Sequence, residues 1–596
     1  MHTVLKKLLF LFNKREKKKL LILLLMMIFA AIFETVGIGL IVPFVGIVTN
    51  PEFIQQQPIL AYLYELFNFR STNAFILFSV VLLFTIFIMK NLYLLFFFYA
   101  QCRVILNQQV KLSRSLLNEY LTKPYTFHLQ RNSAELLRNI NTEVPRVFQG
   151  IIMSVFQLLT EILIITCILT LLVIAAPIAT LTASIILVSS VLIFFNVFRK
   201  KITQLGTEQQ KVSGTMIKWV NQGLGASKEV KVSGKENFFV NAYTKQSQIK
   251  ANNGRYLKML DQSPRLFIET LLVGTVLITM LIIIFQGMNT TEIVPKMALF
   301  AMAAFRLMPS ITRVISLITA IRVSQPALYV VYEDLFENRE ERAKQIDTRK
   351  PKELINDGNK VFIDSIKLEE VSYRYPDQGE CAVENVSLTI PIGQSVAFVG
   401  ESGAGKTTII DIILGLLEPE KGNMLVDDKS LIQQKSLWQQ KIGYIPQFIF
   451  LSDDTIRGNV AFGLDNNHID DEQVWRVLEQ AQLKEFVEQL PGKLETTVGE
   501  RGVRLSGGQR QRIGIARALY HNPEILFMDE ATSALDNETE KEIMKAINGL
   551  KGDKTLIIIA HRLSTIENCD TVFRINGGKL IDIEDNSEKT TYKKAL

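Results

Sequence analysis

The sequence predicts a polytopic α-helical membrane domain of six transmembrane helices fused to an α/β domain. Three observations carry this. Hydrophobic residues make up 48% of the chain and mean hydropathy is +0.20, yet 21% of residues are charged. That balance is too apolar for a soluble chain and too charged for a purely embedded one, so spans alternate with ordinary soluble material. Six stretches within residues 1–325 each hold about 20 or more mostly apolar residues, the length that crosses about 30 Å of hydrocarbon. Beyond residue 360 short β-rich runs alternate with helices, the pattern of an α/β domain with a largely parallel sheet. The predicted organisation is a membrane domain over 1–325, a charged linker over 326–360 and the α/β domain over 361–596.

The spans read as roughly 20–48, 73–100, 144–174, 177–198, 264–286 and 294–324. The first follows Lys6, Lys7, Lys14, Arg15, Lys17, Lys18 and Lys19. It is too long for a signal-peptide core, so it is read as a retained helix. The basic residues act as a cytoplasmic anchor rather than a nucleic-acid patch, since no recognition motif accompanies them. Segments 101–143 and 199–262 are also rich in Lys and Arg, whereas 49–72 carries only Arg70 and 287–293 carries no basic residue. Both termini are therefore expected in the cytoplasm. The basic loops are long enough for helices 2 to 5 to continue into the cytoplasm, with tips near Thr122–Gln130 and Gly223–Gly234. On the outer side, Ile54–Phe69 has helical spacing. It lies along the membrane surface or packs on its own protein. The four cysteines have no metal-ligand spacing and read as reduced packing or surface residues.

In the second domain the expected strands are Val361–Tyr375, Val386–Ile390, Ser395–Val399, Ile442–Ile445, Ile525–Met528, Thr555–Ala560 and Thr571–Ile575. Directly after Ser395–Val399 comes Gly400-Glu401-Ser402-Gly403-Ala404-Gly405-Lys406-Thr407, then a helix opening at Thr408. This fits G-x-x-x-x-G-K-[ST] in its strand–loop–helix setting, so the domain is expected to be a P-loop NTPase. Glycines let backbone N–H groups close around phosphates at a helix N-terminus, Lys406 adds a cation, and the Thr407 hydroxyl can ligate Mg²⁺. The strand Ile525–Met528 ends in Asp529-Glu530 at a carboxyl edge, where open α/β folds bind ligands. Asp529 is suited to hold Mg²⁺ through water and Glu530 to act as general base.

A second anion-binding helix start, Ser506-Gly507-Gly508-Gln509, follows Leu505. One nucleotide does not need two such starts in one domain, which suggests that ATP held by another chain docks there. This string resembles the signature of the ATP-binding cassette (ABC) family, and the rest of the domain is similar to it in order. By that resemblance Tyr375 is the aromatic that stacks on adenine. Gln447 senses the γ-phosphate, touches the metal and couples to the membrane domain. Asp536, in Ser533-Ala534-Leu535-Asp536, belongs to a dimer-communication loop, His561 is the switch histidine, and Thr497–Gly502 is the exporter-specific loop. The resemblance implies a homodimer with two hydrolysing sites and ATP and Mg²⁺ as cofactors, with no nucleic-acid partner.

Six helices ahead of a cassette resemble the exporter type, so outward transport is expected. Charge inside a span marks a functional candidate. Arg306 and Arg313 are seven residues apart in the last helix and share a face. With Lys90 and Arg265 they are the candidate lining of a basic cavity suited to an anionic ligand. Pairing with Glu34, Glu161 or Glu269 is the structural alternative. Phe305–Ser310 with Arg313, Phe33-Glu34-Thr35, Val42-Pro43-Phe44 and Ser263-Pro264-Arg265 are similar to the PglK-type flippases. That resemblance implies flipping of a polyprenyl-pyrophosphate-linked oligosaccharide across the bacterial inner membrane for protein glycosylation. Export of another lipid of lipid A type, a hydrophobic drug or a peptide is the alternative.

Overall fold

The computed structural model describes residues 12, 14–49, 52–175, 177–285, 290–336, 361–376, 378–529, 537–560 and 566–586. The chain divides into two compact units, Met1–Lys123 with Arg131–Glu340, and Pro124–Gln130 with Glu341–Leu596.

The first unit is helical: α1 (Lys14–Gly39), α2 (Ile41–Thr49), α3 (Pro58–Leu66), α4 (Thr72–Thr122), α5 (Met153–Ala175), α6 (Pro177–Gly225), α7 (Glu236–Phe285) and α8 (Thr290–Phe336). Among the described residues, Lys14–Gly37, Thr72–Thr122, Ser133–Ile174 and Ala301–Phe336 are long and apolar enough to cross a membrane. The expected extensions are present as continuous helix. At 51 residues α4 is about 75 Å long, far beyond the hydrocarbon thickness. It starts where the Ser71 hydroxyl accepts from Ala74 N at 3.2 Å. It stops at Lys123, which the following Pro124 excludes from helical geometry. The run leading into α5 contains two π-helical turns, Asn139–Glu143 and Phe148–Ile152, on either side of Pro145. α8 continues to Phe336, past the expected boundary at 325. Pro326 does not end it, because Ala327, Leu328 and Val331 are buried and hold that turn in the helix.

A core of Ala31, Ile164, Ile168, Leu172, Ile268, Ala303, Leu307, Ile311 and Ile315 ties α1, α5, α7 and α8 together. Helices α6 and α8 meet closely at Gly206, where a Cβ would fall 2.6 Å from the Val323 carbonyl oxygen. The segment expected on the outer side packs on its own protein: Leu60, Leu63 and Tyr64 cover a cluster of Ile47, Ile54 and Phe75. Ile59, Tyr62 and Leu66 on α3 stay exposed.

The second unit holds two sheets. One has the order β10-β9-β3-β8-β7-β6, and the other is an antiparallel sheet of order β2-β1-β4-β5. Their strands are β1 (Ser365–Tyr373), β2 (Val383–Pro391), β3 (Ser395–Val399), β4 (Lys421–Val426), β5 (Lys429–Ser430), β6 (Ile442–Ile445), β7 (Ile525–Asp529), β8 (Thr555–Ile559), β9 (Thr571–Asn576) and β10 (Lys579–Asp585). The larger sheet is parallel except for β10. β3 and β8 are buried along their whole length, which is why they read as continuous apolar runs. β4, β5 and β10 were not expected from the sequence. β4 opens with Lys421-Gly422, β5 is a two-residue strand, and β10 is a mostly exposed edge carrying Lys579, Asp582, Glu584 and Asp585. The antiparallel sheet therefore emerges only from pairing at a distance.

Candidate functional site

The sequence places phosphate-loop chemistry at the carboxyl end of β3, and the geometry explains each glycine there. Gly400 has φ +153°, and a Cβ on it would lie 2.1 Å from the Ile575 carbonyl oxygen. Gly405 has φ +100° and caps α9 (Lys406–Ile413); its Cβ would lie 2.7 Å from the Ala382 carbonyl oxygen. No L side chain fits either position. Lys406 is buried and its ammonium donates to the Gly400 and Glu401 carbonyls, both at 2.8 Å. An open cleft of about 380 Å³ adjoins the loop, lined by Tyr375, Gln378, Glu380 and Cys381 on one side and Ser402 to Thr408 on the other. Tyr375 is held there edge-on to Tyr373, with its hydroxyl 3.2 Å from Thr408 Oγ1. A flat aromatic ring thus faces the same space as the loop.

Strand order brings further residues to that edge. β8 lies between β3 and β7, and β6 lies beyond β7, all parallel. Asp529 closes β7 and Gln447 follows β6 by two residues, so both emerge at the edge that carries the phosphate loop. Burial and the neighbouring Asp529 charge push the Asp411 carboxyl on α9 up to about 6. Glu530, Asp536 and His561 lie outside the described residues. In sequence, Glu530 follows the end of β7 directly and His561 is two residues past the end of β8.

The signature opens α10 (Gly507–Leu519) with a capping box. Ser506 Oγ accepts from Gln509 N at 3.2 Å, and Gln509 Oε1 accepts from Ser506 N at 2.8 Å. Ser506 and Gly507 are exposed, and a Cβ on Gly507 would meet nothing within 4 Å. None of Ser506, Gly507, Gly508 and Gln509 lines the Tyr375 cleft. The chain builds two anion-binding helix starts and keeps them apart.

In the helical unit three of the four candidate cations, Lys90, Arg306 and Arg313, are paired, as the structural alternative has it. Glu34 on α1 accepts from Arg306 Nε at 2.5 Å and sits 3.3 Å from Lys90 Nζ. Glu34 and Lys90 are buried, and Arg306 also donates to Ser310 Oγ at 3.1 Å. Arg313 pairs separately with Glu161 at 2.6 Å. Arg265 is exposed and joins neither group. Lys90 and Arg306 are therefore brought together on one carboxylate, and the Arg313 pair and Arg265 are not part of that cluster.

Comparison with known proteins agrees with this architecture. The ABC transporter domain description matches residues 383–533. The ABC transporter transmembrane region description matches residues 18–282. An ATP-dependent lipid A-core flippase of Cupriavidus pinatubonensis is 30% identical over 480 residues, covering 79% of this chain and 78% of that protein. This chain belongs to the ABC transporter family. The mitochondrial ATP-binding cassette sub-family B member 10 of Mus musculus is 40% identical over 241 residues, 39% of this chain and 34% of that one. In fold, a bacterial Atm1-family ABC exporter with ATP bound matches at a TM-score of 0.75 and 22% identity, covering 98% of this chain and 97% of that chain.

As an ABC transporter the chain binds ATP and couples its hydrolysis to transport. Sequence reading passed over some of the residues that stiffen this machine. Arg517 on α10 donates to the carbonyls of Phe450 (2.7 Å) and Asn459 (2.8 Å) and to Asn459 Oδ1 (3.1 Å), and lies against the Phe462 ring. It fastens the segment that follows Gln447 to the signature helix. Near the end of α4, Asp334 accepts from Tyr120 and from Asn139 at 2.9 Å, joining α4, α8 and the π-helical run. Burial, with Asp334 beside it, raises the Tyr120 hydroxyl pKa. An arginine inside Ile513–Leu519 was the one available sign of the first arrangement. Tyr120 and Asp334 lie 214 residues apart, and nothing in the sequence links them.

Proposed function

We propose that this transporter works as a homodimer in the bacterial inner membrane, with both termini cytoplasmic, and flips a phosphate-bearing lipid outward. The observation that carries the substrate class is the charge count around Glu34: two cations share one carboxylate within the apolar unit. The surplus positive charge favours an anionic headgroup, and guanidinium geometry favours phosphate. The relatives named lipid A-core flippases support a lipid A-like cargo above the polyprenyl-pyrophosphate oligosaccharide. The oligosaccharide remains the second reading, favoured by the Phe305–Ser310 and Ser263–Arg265 similarities. Arg313 and Arg265 would then lie along the headgroup's path rather than in the Glu34 cluster.

In each cassette, backbone N–H groups of Gly400–Gly405 and the Lys406 ammonium hold the phosphates, and Tyr375 holds the base. The Thr407 hydroxyl, Gln447 and the Asp529 carboxylate are oxygen donors suited to Mg²⁺, a hard cation that keeps waters and binds few protein ligands. Bound there, it neutralises charge on the phosphates. Glu530 takes the proton of the attacking water and His561 orients it. Ser506, Gly507, Gly508 and Gln509 of the opposing copy close the site, with Asp536 beside the contact. This head-to-tail arrangement is supported by the separation of the two anion-binding starts.

The test is reconstitution in vesicles containing a labelled lipid A or a labelled polyprenyl-pyrophosphate glycan. ATP-dependent movement to the far leaflet is expected, and it should disappear in Glu530→Gln. Movement of neither lipid would remove the flippase reading. Mixing Lys406→Ala chains with Ser506→Arg chains tests the shared site. Head-to-tail dimers regain one intact site and part of the hydrolysis, whereas self-contained sites regain none.

A further inference from the structure

Helices α6 and α8 bracket a cleft of about 420 Å³ lined by Leu192, Ile193, Phe195, Asn196, Arg199 and Arg322. It sits where the apolar run of α6 gives way to Arg199-Lys200-Lys201, the position of a bilayer boundary. Two arginines from different helices line this one cleft. Neither Arg199 nor Arg322 makes an ion pair among the described residues. Arg322 does not turn toward the basic stretch after the span. Its neighbour Val323 packs against Gly206, yet its guanidinium lies 5.9 Å from the ring centre of Phe195, eleven positions earlier on α6. Helical side chains lean toward the N-terminus, so this direction is available to Arg322. It carries a half-buried charge toward hydrocarbon, however, and that is costly unless an anion meets it.

A pair of guanidiniums with an adjacent amide suits a phosphate. Leu192, Ile193 and Phe195 line the same cleft and suit the start of a hydrocarbon chain. Together they match the headgroup and the adjoining chain of one lipid.

We infer that this cleft seats the phosphate headgroup of an anionic phospholipid from the surrounding inner leaflet, with the start of an acyl chain against Leu192, Ile193 and Phe195. The site is separate from the Glu34 cluster and does not depend on which lipid is transported. Its occupant neutralises Arg199 and Arg322 together and so holds α6 to α8 just above their close contact at Gly206.

The full chain, purified with mixed phosphatidylglycerol and phosphatidylcholine, tests this by native mass spectrometry without ATP. Phosphatidylglycerol should be retained in preference to phosphatidylcholine. Retention should fall about tenfold or more in Arg199→Gln/Arg322→Gln, the loss expected for charge-assisted hydrogen bonds. The Arg199→Lys/Arg322→Lys chain should keep an intermediate share. Folding is checked by monodisperse elution and thermal midpoint. If the double variant fails that check, the single Arg199→Gln change, at an exposed side chain, is read instead. Equal retention of the two lipids, unchanged retention in the Gln variants, or displacement of the lipid by millimolar inorganic phosphate would each overturn the assignment. The last outcome would make the cleft a free-anion site.

Discussion

Replacing Glu34 with Gln removes the one negative charge between Lys90 and Arg306. At 2.5 and 3.3 Å, and at an effective dielectric of about 20, each attraction is roughly 5–7 kcal/mol before desolvation. Desolvation offsets much of that, but stripping the carboxylate from a buried Lys90 and a half-buried Arg306 leaves both uncompensated. The expected loss of stability is about 3–5 kcal/mol. Lys90→Met should behave differently: it leaves a neutral Glu34–Arg306 pair in an apolar setting, so its stability should lie within about 1 kcal/mol of the parent. Thermal unfolding of the three chains in one detergent gives the ranking. Stimulation of ATPase by the anionic lipid should fall in Lys90→Met, because the surplus charge has gone. If Lys90→Met destabilises as much as Glu34→Gln, charge balance does not govern this cluster and the argument for an anionic ligand fails with it.

Three further outcomes follow from other parts of the chain. Arg517→Lys keeps the charge but loses the fork that reaches Phe450 and Asn459, so about 2–4 kcal/mol of stability and much of kcat should be lost. Wild-type behaviour in both assays would mean that this link is idle. Gly206→Ala should cost about 1–3 kcal/mol by forcing α6 from the α8 backbone, with unchanged unfolding as the contrary result. The Cys569 thiol is pushed by burial from 9.0 up to about 12, which cuts its thiolate fraction at pH 8 about a thousandfold. Mass spectrometry after alkylation should find Cys569 protected until unfolding, while Cys381, half-buried beside the phosphate-loop cleft, reacts sooner. Labelling of native Cys569 at the rate of Cys381 would contradict its burial.

Much of this protein could be read in one dimension, because its strongest signals are local. A 20-residue apolar run, a glycine-rich loop between strand and helix, and a capping Ser506 each state their structure within a few neighbours. β3 and β6 end at the residues expected, since buried parallel strands are unbroken apolar runs bounded by turns. Signals weakened where the local pattern is mixed. Lys421-Gly422 hides the start of β4, exposed charges disguise β10, and the domain boundary expected at 325 falls inside a helix that continues to Phe336.

Sequence by itself determined the family, the two kinds of domain and the nucleotide chemistry, because phosphate recognition is written in backbone geometry that only certain residues permit. It could name Lys90, Arg306, Arg313 and Arg265 as candidates, but not say which of them share a carboxylate. That was decided by the packing of α1 against α4 and α8, since a charge's partner inside an apolar unit depends on which helices touch. The same reason brings Arg322 of α8 to one cleft with Arg199 of α6.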